Sequence, residues 1–155
     1  MKPYNDKKGK LIVKIICLGK KFYKKRNLFE KLAYSFYKLL NFFLIIRTFN
    51  SEIHVSDKIS SKLIFYHPYG IVIHGGSTIG DNCIIRQQVT IGNKGIGDNC
   101  CPVIGKNVEI GAGAKIIGKI YIGDNSKIGA NAVVTKSFPK NSILVGVPAK
   151  NIAKD

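Results

Sequence analysis

His67 stands in the stretch FYHPYGIVIHGG (65–76) and is followed at once by Pro68. An imidazole titrates near neutrality, so it can take a proton from a hydroxyl at cellular pH. Cys100 and Cys101 precede Pro102 in a second irregular stretch, NKGIGDNCCPV (93–103). A thiolate is both a nucleophile and a soft metal ligand. Adjacent cysteines cannot readily supply two corners of a zinc tetrahedron, and the other two, Cys17 and Cys83, form no CxxC pair. No metal is therefore expected, and the four cysteines read as reduced thiols of a cytoplasmic protein. His54 and His74 each follow an aliphatic of a regular repeat, which predicts outward-facing side chains.

The elements that must position these groups come from that repeat. Ile104, Ile110, Ile116, Ile122, Ile128 and Val134 are spaced by six. Small or aliphatic residues lie four places on, at Val108, Ala114, Ile120, Ser126 and Ala132. An earlier register reads Ile73, Ile79, Ile85 and Ile91, and a third reads Ile53, Ile59 and Phe65. Six-residue periodicity is the signature of a parallel β-helix. Three hexapeptides make a triangular coil, so residues about 18 apart stack at the inter-strand spacing of about 4.8 Å. The first-position aliphatic points inward, and the glycine that often follows it is expected to ease the corner. The fold class is thus mainly β, with residues 51–155 as the coil.

The registers are separated by two slips. From Phe65 to Ile73 is 8 residues, two more than one repeat; from Ile91 to Ile104 is 13, one more than two repeats. Departures from a solenoid's period become loops on its face, and such loops commonly carry the chemistry. His67 lies in the first slip and the cysteine pair in the second.

Residues 1–50 differ in kind. They hold 13 Lys and Arg against 2 acids, a net +11, and the remaining 105 residues carry only +5 of the total +16. Apolar residues at 28/29, 32/33, 36, 39/40 and 43 fall at helical spacing, and residues 10–25 read as helix despite Gly19. A basic amphipathic helix suits an anionic membrane surface, or the open end of a neighbouring coil or subunit. The aromatics mostly keep helical phase, which suits packing better than base stacking, so nucleic acid is not expected as a partner. The run LLNFFLII (39–46) is too short to span a bilayer, and LIVKIICLG (11–19) is broken by Lys14 with no small-residue cleavage site after it. Neither reads as a targeting segment. The expected location is cytoplasmic, at the inner face of the membrane if the helices touch lipid.

The segments HPYGIVIHGGSTIGDNCIIRQQVTIG, IGAGAKIIGKIYIGDNSKIGANAVV and VGVPAK resemble the hexapeptide-repeat acetyltransferases, and within them the serine O-acetyltransferases. The resemblance runs from about Glu52 to Ile152. It implies a left-handed parallel β-helix, a homotrimer, and acetyl-CoA bound in a groove between subunits. It implies that His67 is the general base, deprotonating an acceptor hydroxyl as the oxygen attacks the thioester carbonyl, with backbone N–H groups along a coil edge steadying the oxyanion. Gly92, Gly111, Ala112 and Ala130 would line the pantetheine groove; Gly146 and Lys150 would lie near the nucleotide, Lys150 facing phosphate.

The chain departs from that family at its acceptor loops. Tyr66 replaces an acid before the histidine, and Cys100-Cys101 replace an Arg-His pair before proline. Uncharged groups at Tyr66, Cys100 and Cys101 cannot give the bidentate carboxylate recognition that arginine provides. Short, basic-headed chains of this type resemble the acetyltransferases of surface-polysaccharide assembly, which makes a sugar hydroxyl the first expected acceptor and serine the alternative. Three other readings stay open. Cys101 could act as an acyl-accepting nucleophile, although no histidine adjoins it in sequence; three histidines could hold zinc for a hydratase; or the solenoid could serve only for binding.

Overall fold

The computed structural model describes residues 6–24, 27–95, 97 and 99–153. The sixfold aliphatics build a left-handed parallel β-helix with three flat faces. The first face stacks β1 (Glu52–Ile53), β3 (Val72–Ile73), β6 (Thr90–Gly92), β9 (Lys115–Ile117) and β12 (Val133–Val134). The second stacks β4 (Thr78–Ile79), β7 (Val103–Ile104) and β10 (Tyr121–Ile122). The third stacks β2 (Ile64–Phe65), β5 (Ile84–Ile85), β8 (Glu109–Ile110), β11 (Lys127–Ile128), β13 (Ile143–Val145) and β14 (Lys150–Asn151). In the two-residue strands before β13 the first residue is exposed or half-buried and the second buried, as alternation along a strand requires.

Register follows the repeat where the repeat is unbroken: Ile104 stacks on Ile122 and Ile116 on Val134, each 18 residues apart. The slips resolve differently from one another. Phe65 stacks on Ile85 and Ile53 on Ile73, 20 apart, so the first slip is one hexapeptide plus two residues, as its spacing predicts. The second slip corrects the sequence reading. Ile91 on the first face and Ile104 on the second belong to consecutive strands, and Ile79 stacks on Ile104, 25 apart. The 13-residue interval is therefore one hexapeptide with a seven-residue loop, and not two hexapeptides with one extra residue.

A second correction concerns glycine. The left-handed backbone at the corners falls mainly on asparagine: Asn82, Asn107, Asn125, Asn131 and Asn141 all have φ between 56° and 63°. Their short amides tolerate this conformation and bond along the stack, Asn82 Nδ2 to Asn107 Oδ1 at 3.3 Å and Asn107 Nδ2 to Asn125 Oδ1 at 3.1 Å. Glycine serves a different need. A Cβ on Gly80 would meet the Gly105 carbonyl oxygen at 2.6 Å, and one on Gly111 would meet the Ala130 nitrogen at 2.6 Å. Successive coils approach too closely there for any side chain.

Two helices cover the N-terminal end of the coil. Asp6 caps α1 (Lys7–Phe22), which buries Ile12, Ile15 and Ile16 at i, i+3, i+4 spacing. Gly9 rests on the Phe65 carbonyl, and Gly19 on the ring of Tyr37 and on Val55. Gly19 thus stays within the helix, because packing replaces its weak propensity. Asn27 caps α2 (Leu28–Leu40), its side chain accepting the Glu30 N–H at 2.8 Å, and the chain runs on through a π-helical segment, Asn41–Arg47. The helix residues Ile12, Ile15, Ile16, Tyr37 and Ile45 join the coil residues in one buried cluster. The α2 stripe of Leu28, Phe29, Leu32, Phe36 and Leu39 stays 54–72% exposed. Among the described residues no helix is long and apolar enough to cross a membrane.

Candidate active site

The two-residue insertion of the first slip becomes a tight loop at the corner between β2 and β3. His67 sits there with φ of +50°, exposed at its side chain. A left-handed conformation is unfavourable for a residue carrying a Cβ and persists only where its surroundings fix it. Several bonds do so. The His67 N–H donates to Asp6 Oδ2 at 2.8 Å, and the Tyr69 N–H donates to the His67 carbonyl at 2.7 Å. Buried Ser51 lies with Oγ 3.0 Å from the Pro68 carbonyl and accepts the Ile71 N–H at 3.0 Å. Lys8 Nζ donates to the Tyr69 hydroxyl at 2.6 Å.

Asp6 ties this loop to the helical head, since its other oxygen accepts the Lys8 and Gly9 N–H groups at 2.9 and 3.3 Å. Burial alone would raise the Asp6 pKa. The N–H bonds from His67, Gly9 and Lys8, with a smaller contribution from the His67 charge, outweigh it and hold the carboxyl below its usual range.

The corners that follow β5, β8 and β11 stack beneath the His67 corner and border a groove of about 390 Å³. Its walls include Gly111, Ala112, Gly129 and Ala130 from the corners, with Ile143 and Val145 from β13. Three of the residues predicted for a pantetheine arm, Gly111, Ala112 and Ala130, therefore meet in one groove. Gly92 does not join them: it lies at the far edge of the first face, where a Cβ would touch that of His74 at 3.4 Å. Gly146 and Lys150 flank the last coil, Gly146 with φ of +96° and Lys150 exposed on β14. Sequence reasoning missed three charged residues of the groove, Arg86, Glu109 and Lys127. Arg86 pairs with Glu109 at 3.0 Å and holds its guanidinium 5.4 Å from the centre of the Tyr66 ring. Each charged residue is next to a first-position aliphatic, so the repeat itself hides them.

The opposite end of β3 holds a second cluster, and it corrects the sequence reading. Cys101 has no histidine beside it in sequence, yet its Sγ lies 3.1 Å from His74 Nδ1. The same nitrogen accepts the Gly76 N–H at 3.0 Å. The His54 ring is 6.0 Å from that of His74, and His54 Nε2 is 3.6 Å from Glu52 Oε1. Cys100 is exposed, and the contact between Cys101 and His74 is part-buried. Cys83 is inert by contrast: burial pushes its thiol up to about 11. His67 and Cys101 thus stand near opposite ends of β3. Among the described residues no three His, Cys, Asp or Glu side chains converge to hold a metal.

Residues 102–136 match the model for the bacterial transferase hexapeptide, six repeats. The chain is 45% identical over 105 residues to the serine acetyltransferase of Helicobacter pylori, covering 67% of this chain and 61% of that one. It spans about half the length of the curated relatives it matches. A solved serine acetyltransferase of Brucella abortus in complex with coenzyme A superposes with a TM-score of 0.80 at 34% identity, covering 95% of this chain and 56% of that one. One from Neisseria gonorrhoeae in complex with serine gives 0.76 at 34%, covering 94% and 57%. The structural likeness thus reaches beyond the two-thirds matched in sequence and takes in the helices.

Proposed function

With a hexapeptide-repeat coil of the serine acetyltransferase type as premise, we propose that this chain is an acetyl-CoA-dependent O-acetyltransferase with His67 as general base. The observation that carries the reading is the His67 loop. A histidine in a strained backbone conformation, bonded from both sides, heads the corner column beneath which Gly111, Ala112 and Ala130 line one groove. The groove fits a pantetheine arm because methyl groups and bare backbone leave it open, while Lys127 offers a cation to an anionic co-substrate. Gly146 and Lys150 lie toward the nucleotide end in this reading.

Acetyl-CoA supplies the thioester carbonyl. His67 takes the acceptor's hydroxyl proton as the oxygen attacks that carbonyl, and the proton then passes to the departing thiolate. Such positioned proton transfer contributes about 10²–10⁴-fold to the rate. The resemblance to that family implies a homotrimer, with the co-substrate in a groove between neighbouring protomers.

Serine is the first acceptor to test, because the similar proteins are serine acetyltransferases and one of them holds serine. The relatives named above do not support the polysaccharide reading. One observation nevertheless favours a neutral sugar hydroxyl as the second reading: Tyr66, Cys100 and Cys101 carry no fixed charge to clamp a carboxylate, and the nearby Arg86 is already engaged by Glu109. Thiol release from acetyl-CoA, measured against serine and against nucleotide sugars and oligosaccharides, separates the two. Turnover with serine alone removes the sugar reading, and turnover with sugars alone reverses the order. His67→Ala should cost about 10²–10⁴-fold in turnover on whichever acceptor works; a variant within threefold of the parent defeats the general-base assignment.

The exposed apolar stripe of α2, on a strongly basic head, suits peripheral contact with anionic lipid. Sedimentation with anionic but not zwitterionic vesicles is the expected result, and its absence assigns the stripe to another partner.

A further inference from the structure

We infer that Cys101 and His74 form a thiol–imidazole dyad that makes Cys101 the reactive thiol of this chain, a modification site for small disulfides. The two residues come from different coils. His74 follows β3, and Cys101 closes the seven-residue loop before β7, so the contact is made by the fold and is invisible in sequence. Nucleophile and base within hydrogen-bond reach are the geometric requirement for an activated thiol, and 3.1 Å meets it. The protonation pattern also suits the task. Because His74 Nδ1 accepts the Gly76 N–H, its lone pair faces inward and the ring proton of the neutral form sits on Nε2. The Cys101 thiol therefore meets an acceptor and not a donor.

Gly76 makes the approach possible: a Cβ there would lie 3.0 Å from Sγ and 3.2 Å from Nδ1. The other cysteines differ in burial. Cys83 is fully buried, its thiol directed at the Gly105 carbonyl at 3.0 Å. Cys17 and Cys100 are more exposed than Cys101, so exposure alone would rank them ahead of it.

The single Nδ1 lone pair is shared between the Gly76 N–H and the Cys101 thiol; in the reaction it takes the Cys101 proton, the Gly76 N–H is released, and the thiolate attacks one sulfur of the disulfide. The new S–S bond forms as the old one breaks, and the leaving thiolate takes up a proton. The disulfide is the oxidant and its departing sulfur is reduced.

Dithiodipyridine, which releases a coloured thiopyridone, provides the test at pH 7 with the full chain, adducts being assigned by peptide mass mapping. Cys101 should be labelled first, ahead of the more exposed Cys17 and Cys100. His74→Asn should slow its labelling about tenfold or more while the Cys17 rate stays unchanged as an internal control. Gly76→Ala, which retains both groups and crowds them apart, should slow it in the same direction and serves if His74→Asn does not fold. Labelling led by Cys17 or Cys100, or a Cys101 rate indifferent to a folded His74→Asn or Gly76→Ala variant, overturns the proposal. The readout is thiol chemistry alone, so its failure leaves the acetyl-transfer reading standing, and the reverse also holds.

Discussion

Replacing Gly9 by alanine sets two known effects against each other. In an ordinary helix interior the change stabilises by about 1 kcal/mol, because alanine has the better propensity. In α1 the new methyl would point at the Phe65 carbonyl, with the Phe65 carbonyl carbon 3.0 Å and its Cβ 3.3 Å away. Phe65 is 2% exposed and stands in a strand whose neighbours Ile64 and Tyr66 are hydrogen-bonded to the next coil, so its backbone cannot yield as a flexible side chain would. Either α1 lifts or the strand distorts, and overpacking of this kind costs about 1–3 kcal/mol. The steric term outweighs the propensity term, giving a net loss of up to about 2 kcal/mol. For a chain of this size that is up to roughly 8 °C in Tm. Thermal and urea unfolding followed by circular dichroism provide the measurement. Cys17→Ala, at an exposed site of the same helix, should move Tm slightly upward and so calibrate the propensity term. Because Asp6 links α1 to His67, Gly9→Ala should also lower turnover while leaving KM for acetyl-CoA near the parent value. A Gly9→Ala variant more stable than the parent would refute the contact between α1 and β2 and, with it, the clamp on the His67 loop.

Asp6→Ser retains an N-cap but gives up the second oxygen that holds the His67 amide, so it should reduce turnover with a stability change within about 1 kcal/mol. The Asp6 carboxyl is depressed in the folded chain, so its stabilisation is complete above the unfolded pKa and fades as pH falls through the folded one; Asp6→Asn should flatten that part of the acid limb in urea titrations at graded pH. Ala112→Leu and Ala130→Leu should raise KM for acetyl-CoA with little change in unfolding midpoint, since both side chains border the groove and not the core. Asn107→Ala loses two amide bonds and must hold an alanine at a φ of 56°, at a cost of about 1–2 kcal/mol in chemical denaturation.

The coil was legible because its cause is local and repeated: an inward aliphatic every six residues leaves few other folds open. Ile104 above Ile122 follows from counting alone. The second slip was misread because 13 is nearly twice six, and a count of residues cannot distinguish two short strands from one strand and a loop. Glycine was given the wrong role for a related reason. Its freedom of φ is a property of one residue, whereas the constraint at Gly80 and Gly111 is set by a neighbouring coil 18 to 25 residues away. His67 could be singled out because the insertion that displaces it disturbs the period. The contact between Cys101 and His74 left no such trace, since 27 residues separate partners that only the stacking of coils brings together. Asp6 is similar: its second oxygen reaches the His67 amide only once α1 lies across β2.

The two ends of the prism are finished differently. At one, α1 lies across β2; at the other, β14 runs antiparallel to β13 and reverses the direction in which the last ladder presents its hydrogen bonds. A parallel solenoid left open would offer each end as a template for another chain laid in register, the geometry of a growing fibre. Here one terminus is roofed by a helix and the other turns back on itself, so end-on polymerisation has no matching surface. The α1 segment that clamps the His67 loop through Asp6 therefore also closes one end of the coil.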